Sequence, residues 1–290
     1  MKRRTKIVAT LGPATSDYEM IKQIIVAGVN VCRLNFSHGK HEILNQQIED
    51  IRRIDEELGT HTAILGDLQG PKIRIGEVEN NGVFLENGAH IYITSTPIVG
   101  TAEKVSITYP EFARDVKPGE LVMMDDGKLV LEVVSTNLKD EVKLVIKHGG
   151  KLSSKKGVNL PDTKISQPCL TEKDLIDLDF ALEKNIDWIG LSFVRSARDI
   201  IELKHIISSK NKSCRVVAKI EKPEALKELK DIIKVTDAVM VARGDLGVEV
   251  PMQNVPLIQK EIIKLCLDYA KPVIIATQMM ESMIENVSPT

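Results

Sequence analysis

Val216-Val217-Ala218-Lys219-Ile220-Glu221 is an apolar run that ends in an ammonium and a carboxylate, and Val239-Met240-Val241-Ala242-Arg243-Gly244-Asp245 repeats the design further along. Strands buried on both faces read as continuous apolar runs, which is the signature of a parallel sheet. In parallel α/β folds ligands collect at the carboxyl ends of the strands, where both of these runs turn polar. Two carboxylates and an ammonium converging there fit a hard divalent cation beside a phosphate or an enolate. Mg2+ takes oxygen ligands, usually one or two carboxylates, and Glu221 and Asp245 fill that quota. Lys219 and Glu221 share a strand face, so each favours the charged form of the other. Gly244 lets the backbone approach a ligand closely. The same residues also fit a buried Lys–Glu ion pair followed by an unrelated glycine turn.

Working outward, further apolar segments alternate with amphipathic ones: Lys6–Leu11, Val31–Phe36, Ala63–Asp67, Trp188–Val194, Arg215–Ile220, Ala238–Ala242 and Pro272–Thr277. Capping-box spacing marks helix starts at Ser16 with Glu19, Thr171 with Asp174 and Ser196 with Asp199. Such alternation predicts an α/β fold with parallel strands, a (β/α) barrel or an open doubly wound sheet. Between Gly70 and Lys164 the pattern changes to short alternating strands divided by Asn81-Gly82, Asn87-Gly88, Pro118-Gly119 and Asp126-Gly127. An all-β unit over 70–164 is therefore expected as an insert, a lid that hinges over a barrel built from 1–69 and 165–290. Its second boundary falls in the Lys- and Gly-rich stretch His148–Lys164, read as a mobile loop. The barrel is one β/α unit short of eight strands, Met279–Asn286 resembles the start of a helix, and Ser288-Pro289-Thr290 resembles mid-connection. The expectation is a fragment or shortened product.

Other strand ends also carry chemistry. In Arg33-Leu34-Asn35-Phe36-Ser37-His38-Gly39 the alternation places Arg33, Asn35 and Ser37 on one face, and Arg33 suits bidentate capture of phosphate oxygens. The alternative is an Arg tied to a structural carboxylate. His38 alone reads as a structural hydrogen-bonder. Asp67-Leu68-Gln69-Gly70-Pro71-Lys72-Ile73-Arg74 puts a carboxylate and two cations around a Gly-Pro turn, either facing phosphate or serving as ordinary charge at a domain junction. Thr277 ends its strand in a hydroxyl able to move a proton, or simply terminates the strand. In Ser153-Ser154-Lys155-Lys156-Gly157, Lys156 either meets a nucleotide phosphate or is solvated. Neither a Walker P-loop nor a G-x-G-x-x-G fingerprint is present.

Composition narrows the partners. Of 290 residues, 43% are hydrophobic, and the formal net charge of -2 argues against nucleic-acid or membrane-surface binding. Lys2, Arg3 and Arg4 precede a short strand-like run rather than the apolar core of a signal peptide, and no run approaches the roughly 20 apolar residues that span a bilayer. Cys32, Cys169, Cys214 and Cys266 show no metal spacing and read as reduced cytoplasmic thiols.

Six stretches together resemble the pyruvate kinase family over essentially the whole chain. They are Thr5-Lys6-Ile7-Val8-Ala9-Thr10-Leu11-Gly12-Pro13, Arg33–Gly39, Gly70-Pro71-Lys72-Ile73-Arg74, Lys155-Lys156-Gly157-Val158-Asn159-Leu160-Pro161, Val239–Val250 and Ala276–Met283. The resemblance implies a (β/α)8 barrel, a β-barrel lid after the third strand and a carboxy-terminal α/β domain with effector sites. It also implies a homotetramer for an intact member, and phosphoryl transfer from phosphoenolpyruvate to ADP to give pyruvate and ATP. By the same resemblance Arg33 binds the phosphoryl group, Lys219 stabilises it in transit, and Glu221 and Asp245 hold Mg2+. The Gly244 and Asp245 amides with Thr277 position the pyruvyl moiety, and Thr277 serves its protonation. Arg74 and Lys156 face the nucleotide phosphates, with Asn35 and His38 on the nucleotide side. Many members bind K+ through positions matching Asn35, Ser37, Asp67 and the Leu68 carbonyl, with an acid where this chain has Lys72. The resemblance here is to the K+-independent branch, in which a lysine ammonium replaces the cation.

Two other enzymatic readings stay open at this stage: a Mg2+-dependent aldolase or lyase acting on pyruvate or oxaloacetate, and a Schiff-base aldolase using Lys219. A third alternative is an inactive truncated fragment.

Overall fold

Residues 4–288 are described by the computed structural model. Lys2, Arg3, Pro289 and Thr290 lie outside them. The chain begins with β1 (Val8–Thr10), α1 (Tyr18–Val26), β2 (Val31–Asn35), α2 (His41–Leu58) and β3 (Ala63–Asp67). It then leaves for β4 (Val83–Leu85), β5 (His90–Thr94), β6 (Lys104–Ser106), a helical turn α3 (Phe112–Asp115), β7 (Leu121–Met124), β8 (Leu129–Thr136), β9 (Glu141–His148), β10 (Gly150–Leu152) and β11 (Val158–Asn159). It returns through α4 (Glu172–Glu183), β12 (Trp188–Leu191), α5 (Ala197–Ser209), β13 (Arg215–Ile220), α6 (Pro223–Lys227) and α7 (Leu229–Val235). Last come β14 (Ala238–Ala242), α8 (Arg243–Glu249), α9 (Val255–Asp268) and β15 (Val273–Ala276).

β1, β2, β3, β12, β13, β14 and β15 form one seven-stranded sheet in that order, and the pairing is parallel throughout. This is a curled parallel half-barrel. Alternate residues divide its two faces, as the two-residue period of a strand requires. Ile64, Val216 and Val239 join the core beneath the helices with Ile51, Leu203 and Ile232. Their neighbours Leu65, Val217 and Met240 form the inner cluster with Val8, Val31, Trp188 and Ile274. Among the described residues, β1 and β15 each pair on one side only.

The inserted segment has a core of its own, running from Ile73 to Ile165 through Leu85, Ile91, Val122, Leu131 and Leu144. Its strands order as β11-β7-β8-β9-β5-β6, with a separate β10-β4 pair. Two expectations are corrected here. The insert is not purely β, since α3 lies within it. The Lys- and Gly-rich stretch is not a free loop either: β10 pairs with β4 and β11 with β7, because its few apolar residues, Leu152, Val158 and Leu160, are buried in the insert's core.

Both connectors to the insert are fastened to the barrel. The Gly70 amide donates to Asp174 Oδ1 at 3.0 Å, where a backbone φ of +68° requires glycine's freedom. Arg195 donates to the Ile165 carbonyl and, at 2.7 Å, to that of Gln167. Thr171 with Asp174 and Ser196 with Asp199 form the expected capping boxes. The first helix differs: Asp17, not Ser16, caps α1 and accepts from the Met20 amide at 2.9 Å. Met279–Asn286 holds only a 3-10 turn over Glu281–Ile284, and Ser37 lies in the turn after β2 rather than on the strand face shared by Arg33 and Asn35. No helix among the described residues is long and apolar enough to cross a membrane.

Candidate active site

Lys219 occupies the centre of the strand ends, 8% exposed. Its three N–H donors have three acceptors: Ser192 Oγ at 2.7 Å, Glu221 Oε1 at 3.0 Å and Asp67 Oδ1 at 3.1 Å. Burial works against its charge, but Glu221 and Asp67 outweigh it and hold the ammonium above the usual lysine range. The buried Glu221 carboxyl is pushed up by desolvation, against the pull of Lys219, while Asp245 pushes it further. The Phe193 amide donates to Glu221 Oε2 at 2.7 Å, from a backbone with φ of +55°. That left-handed conformation is unusual for a bulky residue and marks a turn that aims the amide at the carboxylate.

Asp67 shares its charge between two cations. Oδ1 meets Lys219, and Oδ2 accepts from Arg33 Nε at 2.7 Å and forms an ion pair with its Nη2. Arg33 Nη1 donates to Thr10 Oγ1 at 2.8 Å, leaving the guanidinium side chain 25% exposed. The pairing register explains the room for this carboxylate. Gly190 of β12 lies opposite Asp67, and a Cβ there would stand 3.1 Å from Oδ1. Both bland readings of Arg33 and of the Lys219–Glu221 pair are thus realised geometrically, and they are the scaffold of a charged cluster rather than isolated pairs.

Asp245 lies in the first turn of α8, with an exposed carboxylate that has no hydrogen bond or ion pair among those described. Thr277, with φ of +73°, packs against Gly244: a Cβ at 244 would come within 3.3 Å of the Thr277 methyl. Arg243 clamps this corner by donating to the Ala276 carbonyl at 2.9 Å and to the Thr277 carbonyl. An oxygen-only donor set with one free and one buried carboxylate fits a hard divalent cation such as Mg2+. No set of three or more His, Cys, Asp or Glu among the described residues forms a self-contained metal cage.

The remaining candidates are distributed around this cluster. Asn35 Oδ1 accepts from the Ser37 amide at 3.0 Å, and the Leu68 carbonyl accepts from Ser192 Oγ at 2.7 Å. Lys72 is exposed and forms no ion pair with Asp67, whose two oxygens already face protein cations. His38 is exposed in the turn after β2. Arg74 and Lys156 are brought together in the insert by the Arg74–Gly157 bridge, yet each has a local partner: Arg74 donates to the Lys155 carbonyl at 3.1 Å and Lys156 pairs with Asp125 at 2.7 Å. Sequence reasoning passed over Ser192, Phe193, Arg195 and Arg243. Ser192 and Arg243 left a trace, each as the first polar residue after an apolar strand.

The four cysteines are free, and burial raises each thiol, that of Cys266 to about 11 and those of Cys32 and Cys214 to about 12. None of them is a nucleophile at neutral pH.

The family model described as "Pyruvate kinase, barrel domain" matches residues 2–290. A pyruvate kinase of Corynebacterium glutamicum is 49% identical over 290 residues, covering 100% of this chain and 61% of the relative. One from Geobacillus stearothermophilus is 44% identical, covering 100% of this chain and 50% of the relative. The crystal structure of a pyruvate kinase from Cryptosporidium parvum superposes with a TM-score of 0.93 at 35% identity, covering 99% of this chain and 60% of that one. The chain thus spans between half and about three-fifths of the proteins it resembles.

Proposed function

The chain belongs to the pyruvate kinase family, whose barrel domain it matches, and from that premise we propose that its strand-end cluster transfers phosphoryl from phosphoenolpyruvate to ADP. The observation that carries the reading is Lys219, an ammonium held charged and fully bonded between Asp67 and Glu221 with Arg33 beside it. Phosphoryl transfer asks little covalent chemistry of a protein and much positioning and charge compensation. Arg33, braced by Asp67, offers its exposed edge to phosphoryl oxygens, and Lys219 stabilises the charge that spreads over them in transit. Glu221 and Asp245 would hold Mg2+, which when bound neutralises phosphate charge and polarises the enol oxygen. The Gly244 and Asp245 amides, in a first helical turn without intrahelical acceptors, orient the pyruvyl carboxylate together with Thr277. The Thr277 hydroxyl then relays a proton toward the enol carbon through water. Arg74 and Lys156 exchange their local partners for nucleotide phosphates, and Asn35 and His38 line the nucleotide side.

The intact protein is expected to work in the cytoplasm and without K+, since Lys72 stands where K+-using relatives carry an acid. A strict K+ requirement in a Mg2+-containing coupled assay overturns that part. The aldolase readings leave Arg33 and the insert without a task. The main test is ADP-dependent pyruvate release from phosphoenolpyruvate by the protein that carries this chain. Lys219→Met is expected to lower kcat by about 10²–10³-fold with little change in KM, the scale of losing one transition-state donor. Absence of ADP-dependent release, or borohydride trapping of pyruvate on Lys219, overturns the proposal.

A further inference from the structure

One buried carboxylate is shared between barrel and insert. Glu249, the last residue of α8 and 4% exposed, accepts at Oε1 from Lys222 Nζ at 2.6 Å and from Asn159 Nδ2 at 2.7 Å. Lys222 is itself 5% exposed, and Glu249 Oε2 is buried with no partner among the described residues. Asn159 belongs to β11 of the insert, whereas Lys222 and Glu249 belong to the barrel. A second contact lies alongside: a Cβ on Gly127 of the insert would sit 3.6 Å from Val248. Asn159, Lys222 and Glu249 line a common cleft with Phe193, Gly157 and Asp245.

The positions of these residues in the chain give the cluster its meaning. Lys222 directly follows Glu221, and Glu249 stands one helical turn beyond Asp245, on the same side of α8. The Lys222–Glu249 pair therefore ties together the two segments that present Glu221 and Asp245, and the Asn159 amide adds the insert to that tie. We infer that Glu249 is a positioning residue: held by Lys222 and bonded by Asn159, it couples docking of the insert to divalent-cation binding at Glu221 and Asp245. The inference rests on the proposed function, since it takes those two carboxylates as the cation's ligands.

Hydrogen–deuterium exchange over residues 155–161, with and without Mn2+, and Mn2+ binding followed by electron paramagnetic resonance test it on this chain. In the parent protein Mn2+ is expected to slow exchange of that segment. Asn159→Asp removes the donor and sets two carboxylates face to face, and Glu249→Gln removes the charge that Lys222 and Asn159 share. Each is expected to speed exchange by about tenfold, as loss of a hydrogen bond to a charged acceptor does, and to abolish its slowing by Mn2+. The double variant Asn159→Asp/Glu249→Gln reverses donor and acceptor, keeps a carboxylate beside Lys222, and is expected to restore both. Rescue distinguishes a latch from general loss of packing. Mn2+ bound in a Glu221-dependent way, with exchange unchanged in both single variants or unrescued in the double, overturns the latch alone. Failure of the parent chain to bind Mn2+ overturns the two-carboxylate cation site and the coupling with it.

Discussion

Lys219 is satisfied by residues from three different strand ends, so its environment can be tested one partner at a time. Lys219→Met leaves Asp67 and Glu221 buried without a shared counter-charge, and breaking a buried pair in this way costs about 3–5 kcal/mol. Urea unfolding is expected to show that loss. Ser192→Ala keeps the charges but orphans one lysine N–H and the Leu68 carbonyl, an expected cost of about 1–3 kcal/mol by the same measurement. Asp125 offers a pH test. Its hydrogen bond to Lys156 holds its pKa below the ordinary 3.8, so the folded state releases the proton more readily than the unfolded one. The stabilisation is present above pH 3.8 and is lost as pH falls through the lower folded value. Lys156→Met is therefore expected to lower stability above that pH, including the neutral region, to leave the strongly acidic region nearly unchanged, and so to flatten the acid limb between them. The pairing of Lys219 with Glu221 was legible because alternate residues share a strand face. Ser192 and the Phe193 amide were not, because they reach the same point only through the lateral pairing of β12 with β13.

At the scale of elements, the apolar runs located the barrel strands, and two of the three capping boxes read from the sequence, at Thr171 and Ser196, mark helix starts. The errors were local. Ser16 lost the cap to Asp17, whose carboxylate reaches the Met20 amide, and the Lys- and Gly-rich return became paired strands because three buried apolar side chains anchor it. The Gly70 turn joins β3 to the insert and is packed against the turn that feeds Glu221. A Cβ at Gly70 would lie 2.9 Å from the Phe193 ring and would have to adopt φ of +68°. Gly70→Ala is expected to cost about 1–2 kcal/mol from the left-handed backbone alone, with a further loss as Phe193 moves. Its amide would then leave Glu221, so the variant is expected to weaken Mn2+ binding as well as stability. Unaltered Mn2+ affinity would show that Phe193 does not orient the carboxylate.

The whole molecule has two cores, one beneath the barrel helices and one inside the insert, joined by two fastened connectors. Cooperativity between cores depends on the surface they share, and the side-chain links across this junction are few. Calorimetry is therefore expected to resolve two unfolding transitions, with Asn159→Asp separating them further. A single two-state transition would mean the cores unfold as one. By itself the sequence determined the parallel α/β architecture and set Lys219, Glu221 and Asp245 at strand ends, because strand runs and alternation are local signals that survive without knowledge of neighbours. Only the tertiary structure decided that Asp67 braces both Arg33 and Lys219, that Ser192 and Phe193 complete the cluster, and that Glu249 joins barrel to insert. Those contacts depend on strand register and on how the insert is seated, and both are set by packing between segments far apart in the chain.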